Sequence, residues 1–287
     1  MSSCRSTTVV RAADVTGLLP PDDGDMHTDH ASATLAPPRR TVPVVAFTGV
    51  TKSYGTGDAT VIALDSVNLA ITAGGFTAVM GPSGSGKSTL LNLAAGLDRP
   101  TQGEVHLAGS PITAMPDDQL ADLRSTRAGF IFQAFNLVQS MTARQNIELP
   151  FRLRGAKVTA EDAGWIDYLA ETLGITGLLH RRPSAMSGGQ QQRVAIARAL
   201  AARPQVIFAD EPTGSLDSRT SREVLGILKS ACAEYRQTVV MVTHDPVAAS
   251  YADRVLVIAD GRVAGDYASM PAARIAEMMV GLEGGTR

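Results

Sequence analysis

The run Gly81-Pro82-Ser83-Gly84-Ser85-Gly86-Lys87-Ser88-Thr89 constrains this chain more than any other stretch. It follows the apolar segment Phe76-Thr77-Ala78-Val79-Met80 and precedes a second apolar segment, Leu90 to Gly96. A strand, a Gly-rich loop and a helix in that order make a phosphate cradle. The glycines let the backbone turn so that successive N–H groups face inward on an anion. A helix starting near Lys87 aims its positive end at the same anion. The Lys87 ammonium is then placed to neutralise β- and γ-phosphates, and the Ser88 hydroxyl to ligate Mg2+. Only four of the 26 basic residues are lysines, so a lysine inside this loop carries weight.

A phosphate site of this kind needs an acid at the end of a second strand. Val206-Ile207-Phe208-Ala209-Asp210-Glu211 supplies it. Asp210 is expected in the Mg2+ shell, and Glu211, one residue further, where a carboxylate can polarise an attacking water.

The rest of the chain alternates in the same way. Strands are expected at Val44–Phe47, Val61–Leu64, Val67–Ile71, Gly129–Phe132, Val239–Thr243 and Val255–Ile258. Helices are expected at Ala160–Leu173, Gln190–Ala202, Arg222–Cys232 and, last and amphipathic, Met270–Leu282. Such alternation predicts an α/β fold: a mostly parallel sheet covered by helices on both faces, with a small antiparallel β layer from the early strands. Residues 1–41 carry Pro-Pro and Asp-rich clusters without periodicity and read as a disordered tail. A nucleotide-binding domain is expected over 42–268, and a C-terminal helix and tail over 269–287.

Composition removes several classes. Two cysteines, Cys4 and Cys232, leave no room for a disulfide framework or a four-cysteine zinc site. The formal charge of -2 gives no basic field for nucleic acid. The longest uncharged stretch, Ser66 to Gly86, is too rich in Gly, Ser, Thr and Asn for a membrane span. Met1 to Pro20 lacks an apolar run of signal-peptide length, so a soluble polypeptide is expected. None of the four asparagines is followed by Lys, which argues against guanine reading by an Asn-Lys-x-Asp motif.

A second anion site is visible at Ser187-Gly188-Gly189-Gln190-Gln191-Gln192-Arg193, 23 residues before Asp210: a hydroxyl and free N–H groups at a helix start. Ser187 to Gln190 resembles the signature of ATP-binding cassette (ABC) transporters, with Met186 standing where Leu is usual. The chain from about residue 44 to 265 is similar to the nucleotide-binding subunit of that family. Gly81–Ser85, Gly96–Pro100, Ile131–Leu137 and Asn146–Pro150 resemble the branch of macrolide exporters and lipoprotein-releasing systems, although Gly75 stands where that branch has Glu.

The resemblance implies a P-loop NTPase core with a helical signature subdomain, and roles for further residues. Tyr54 is similar to the aromatic that stacks on adenine. Gln133 is similar to the glutamine that senses Mg2+ and contacts the membrane partner. Asp217 lies in the loop that crosses to a second subunit, and His244 resembles the switch histidine at the γ-phosphate. ATP and Mg2+ are then expected as ligands, with Glu211, His244 and Lys87 as the catalytic set. Ser88, Gln133 and Asp210 are expected around the metal. Two copies are expected to pair head to tail, each ATP lying between Lys87 of one and the Ser187–Gln190 segment of the other. The expected second partner is a separate integral membrane permease, which would hold the chain on the cytoplasmic face of the plasma membrane for export or extraction. The 100 residues between Lys87 and Ser187 leave no space for the long coiled coil of chromosome-maintenance ATPases, and no nucleic-acid partner is expected. A regulatory ATPase resembling FtsE, moving no substrate, is the alternative.

Overall fold

The computed structural model describes residues 42–284. The expected tail, 1–41, and residues 285–287 lie outside the described residues. Ten strands and nine α-helices follow one another among the described residues: β1 (Val45–Tyr54), β2 (Val61–Ile71), β3 (Phe76–Met80), α1 (Lys87–Ala94), β4 (Gln102–Leu107), β5 (Ser110–Pro111), α2 (Asp117–Arg127), β6 (Ala128–Phe132), α3 (Ala143–Ile147), α4 (Leu149–Leu153), α5 (Ala160–Thr172), α6 (Gly188–Ala201), β7 (Val206–Asp210), α7 (Ser218–Tyr235), β8 (Thr238–Val242), α8 (Pro246–Ala249), β9 (Arg254–Ala259), β10 (Arg262–Ala268) and α9 (Ala272–Gly284).

Two sheets form. A six-stranded sheet has the order β10-β9-β3-β8-β7-β6, parallel throughout except for β10 at its edge. A four-stranded antiparallel sheet has the order β2-β1-β4-β5. Strand periodicity distributes the core between the two faces of the larger sheet. Val79, Val206, Phe208, Val240, Val242, Leu256 and Ile258 face the small sheet and α1. Ala78, Met80, Ile207, Ala209, Val239, Met241, Val255 and Val257 face α6 and α7. Parallel strands covered on both faces read as continuous apolar runs, which is how β3, β7 and β8 stand in the sequence.

Helix α1 lies between the sheets, with Leu90 and Leu93 fully buried. Helix α6 buries most of its length, and its fully buried Val194 and Ile196 contribute about 1.5–3 kcal/mol each. It approaches β6 closely at Gly129, where a Cβ would lie 2.5 Å from the Ala199 carbonyl oxygen.

Several expectations change. Val61–Leu64 and Val67–Ile71 belong to one strand, interrupted by Ser66 at φ 49° and re-registered against β1. The strand expected at Val44–Phe47 runs on to Tyr54. The β4–β5 hairpin, α2, α3, α4 and β10 lacked a clear apolar period. Two signals were nevertheless there: Asp260-Gly261 before β10 is a hairpin dipeptide, and α2 opens on Pro116-Asp117-Asp118 and closes on Arg127.

Candidate functional site

The loop after β3, the turns after β6, β7 and β8 and the start of α1 meet at the carboxyl ends of the parallel strands. Register fixes this: Phe132 pairs with Asp210, Asp210 with Val242, and Val242 with Val79. In an open α/β sheet that edge is where ligands bind.

Within the loop, Gly81 and Gly86 have φ of 153° and 104°. A Cβ at Gly81 would meet the Ile258 carbonyl oxygen at 1.9 Å, and one at Gly86 the Ala63 carbonyl oxygen at 2.3 Å. The loop is thus wedged against two strands, and only glycine passes. Gly86 precedes the first turn of α1, whose leading N–H groups open on the loop. Lys87 Nζ donates to the carbonyls of Gly81 at 2.9 Å and Pro82 at 2.7 Å. Burial draws its ammonium below the ordinary lysine range, against the charges of Glu211 and Asp210. Pro82, Ser83, Gly84, Ser88 and Thr89 line the cradle's open side, half-buried or exposed, while Ser85 is buried with an unpartnered hydroxyl.

Asp210 ends β7, half-buried; burial and the Glu211 charge push its carboxyl up, and Lys87 pulls it down. Glu211 takes a left-handed φ of 45°, which turns its side chain off the strand line. Its Oε1 accepts from the His244 backbone N–H at 3.0 Å and from Nδ1 at 2.7 Å, and its Oε2 from the Thr243 hydroxyl at 3.3 Å. Thr243 in turn accepts from the Asp245 N–H. Glu211 is therefore held from three directions, while the His244 ring stays exposed.

Gln133 follows β6 and lies against the turn after Glu211: a Cβ on Gly214 would meet its Nε2 at 2.9 Å, and its carbonyl accepts from the Ser215 hydroxyl. The donor set Ser88 hydroxyl, Gln133 amide and Asp210 carboxylate is all hard oxygen, which fits Mg2+. Among the described residues no group of three or more His, Cys, Asp or Glu side chains converges.

The signature segment stands elsewhere. Ser187 caps α6 in a capping box with Gln190, leaving the first-turn N–H groups of Gly188 and Gly189 at the helix end. Its neighbours are Phe135 and Leu216 beside Gly188, and Thr220 beside Gly189. Asp217 caps α7: its carboxylate accepts from the Arg219 and Thr220 N–H groups and the Thr220 hydroxyl. Those bonds hold it below the usual carboxylate range. Tyr54 ends β1 with an exposed ring, its hydroxyl donating to Asp98 and Lys52 Nζ 4.8 Å from the ring centroid. The structure thus gathers the phosphate loop, Asp210, Glu211, Gln133 and His244, and leaves Ser187–Gln190 in other company. Sequence reasoning passed over Thr243, Asp98 and Gln192. A lone Thr at a strand end and one Gln in a polar run carry no local signal.

This sheet and site define a P-loop nucleotide-binding protein. The ABC transporter family profile matches residues 64–214. The chain is 44% identical over 236 residues to the macrolide export ATP-binding/permease protein MacB of Marinobacter nauticus, covering 82% of this chain and 36% of that protein. It is 44% identical over 224 residues to the lipoprotein-releasing system ATP-binding protein LolD of Anaeromyxobacter dehalogenans, covering 78% of this chain and 94% of that one. Among solved structures, the ATP-binding cassette MJ0796, described as a dimeric post-hydrolysis state bound to ADP and Pi, superposes with a TM-score of 0.71 at 40% identity, over 79% of this chain and 99% of that one. The chain belongs to the ABC transporter family. Within it, the chain is an ATPase cassette of the branch that holds MacB and LolD. It spans about a third of the length of the MacB relatives, which carry ATP-binding and permease parts together.

Proposed function

We propose that this chain hydrolyses ATP to drive a separate membrane permease, in export or extraction, from the cytoplasmic face of the plasma membrane. The observation that carries the reading is the Glu211 carboxylate, held by His244 and Thr243 on the strand next to the phosphate loop. A base so fixed is placed to orient a water on a γ-phosphate, and phosphoryl transfer asks mainly for positioning and charge neutralisation. Lys87, now bonded to its own loop carbonyls, exchanges them for phosphate oxygens when ATP enters. The main-chain N–H groups of Ser83 to Thr89 cradle the phosphates, and Tyr54 offers its exposed ring face to the adenine. Ser88, Asp210 and Gln133 would hold Mg2+, which supplies charge neutralisation on the phosphate oxygens.

Ser187–Gln190 presents a capped helix end whose neighbours are Phe135, Leu216 and Thr220 rather than its own phosphate loop. We assign it to the ATP of a second copy in a head-to-tail dimer, with Asp217 at the crossing. Opening and closing of that dimer would reach the permease through a groove of about 470 Å3 beside the free edge of β6, lined by Phe130, Leu149, Pro150 and Leu153. Leu153, 73% exposed, is an apolar side chain awaiting cover. Among the described residues no helix is long and apolar enough to cross a membrane. We also assign residues 42–268 to the cassette and α9 onward to a C-terminal appendage.

The test is co-expression with a candidate membrane permease. The complex should co-purify, and Leu153→Asp should abolish co-purification while leaving the ATPase of the isolated chain intact. Independence of Leu153 would remove the groove from the reading, and absence of ATPase in the purified complex would refute it.

A further inference from the structure

Gln192 lies on α6, five residues beyond Ser187, and is fully buried. Its Nε2 donates to the Pro212 carbonyl at 2.5 Å, while its Oε1 is buried without a partner. A buried amide oxygen with no donor costs stability relative to an apolar side chain of equal size. Packing therefore gives no reason for a glutamine here. The reason lies at Pro212, the residue after Glu211. Glu211 sits at φ 45°, a conformation a non-glycine residue keeps only when its surroundings hold it. Its N–H donates to Val242 and its carbonyl accepts from Gly214, which fix the turn on the strand side. Gln192 fixes it on the helix side.

We propose that Gln192 is a positioning residue that ties the Glu211 turn to the signature helix. Ser187 and Gln192 share the first two turns of one helix, and the capping box stiffens that end. A load on Ser187 from the partner's nucleotide therefore reaches the Pro212 carbonyl within two turns, with no loop between. Gly189 packs its backbone on Thr220 of α7, so the helix end moves with that element as well. The inference rests on the roles given above to Glu211 and Ser187.

The test is Gln192→Met in the full chain, which removes both the donor and the orphaned acceptor at similar volume. Steady-state ATPase should show kcat down about tenfold or more, as misplacement of a fixed base predicts. The KM for ATP and the affinity for nucleotide should stay within twofold, and the melting temperature should be equal to or above wild type. Unchanged kcat overturns the inference. So does a lowered melting temperature or failure to fold, either of which assigns Gln192 to the core alone. Glu211→Gln is measured beside it. If that variant turns over ATP normally, the reading of Glu211 falls first. If it is inactive while Gln192→Met is active, only the inference falls.

Discussion

Glu211 shows how one residue acquires a role from its neighbours. A glutamate after a strand-ending aspartate is ordinary in sequence. Its left-handed φ and three hydrogen bonds from His244 and Thr243 make it a fixed acceptor at the carboxyl end of β7, with β8 between it and the strand that feeds the phosphate loop. Glu211→Gln keeps the volume and removes the base. Turnover should fall about 10²–10⁴-fold, the usual worth of a positioned general base, with ATP binding retained. A phosphate-release assay paired with calorimetry checks this, and near-normal release would show that the base lies elsewhere. The residue was legible because it directly follows the strand-ending Asp210. Its bond to Thr243 was not, because β7 and β8 are distant in sequence and meet only through strand register.

At the scale of elements, the two sheets are joined by arginines. Arg254 of β9 clasps both carboxylate oxygens of Asp266 on β10 at 2.7–2.8 Å and donates to the Ala70 carbonyl of β2. The Arg254 hydrogen bonds hold the Asp266 carboxyl below the usual carboxylate range. A carboxyl with a depressed native pKa stabilises the fold above the unfolded pKa, and loses that contribution as pH falls through its native value. Asp266→Asn should thus cost about 0.5–1 kcal/mol at pH 7, the range of a half-exposed pair. The gap should close as the pH falls below the ordinary aspartate range. Urea melts at several pH values test this, and a gap independent of pH would assign the loss to packing. The hairpin holding Asp266 went unread, although Asp260-Gly261 marked its turn. Its strand is mostly exposed, and periodicity is a signal of burial.

For the whole molecule, the phosphate loop and Ser187 lie in different surroundings, and this separation makes dimer formation the central expectation. Ser187→Arg places a long charged side chain where a second copy's γ-phosphate would sit. Nucleotide affinity of the monomer should stay within about twofold, because Ser187 takes no part in its own phosphate loop. In a Glu211→Gln background, which is expected to trap the closed pair, the variant should elute as a monomer with ATP. A dimer on the sizing column would show that Ser187 does not face the partner's nucleotide.

Local order along the chain was enough to determine the phosphate loop, the acid pair, the signature helix and the alternation that makes a parallel sheet. Each of these depends on neighbours within a few residues, and backbone sterics and helix ends act at that range. The tertiary structure alone decided that β2 is one strand bent at Ser66, that β6 is left as the free edge, and that Thr243 holds Glu211. It also decided that a glutamine in a polar run is buried against Pro212. These facts depend on residues brought together by strand register and helix packing, and a buried polar group takes its meaning from the partner it meets there.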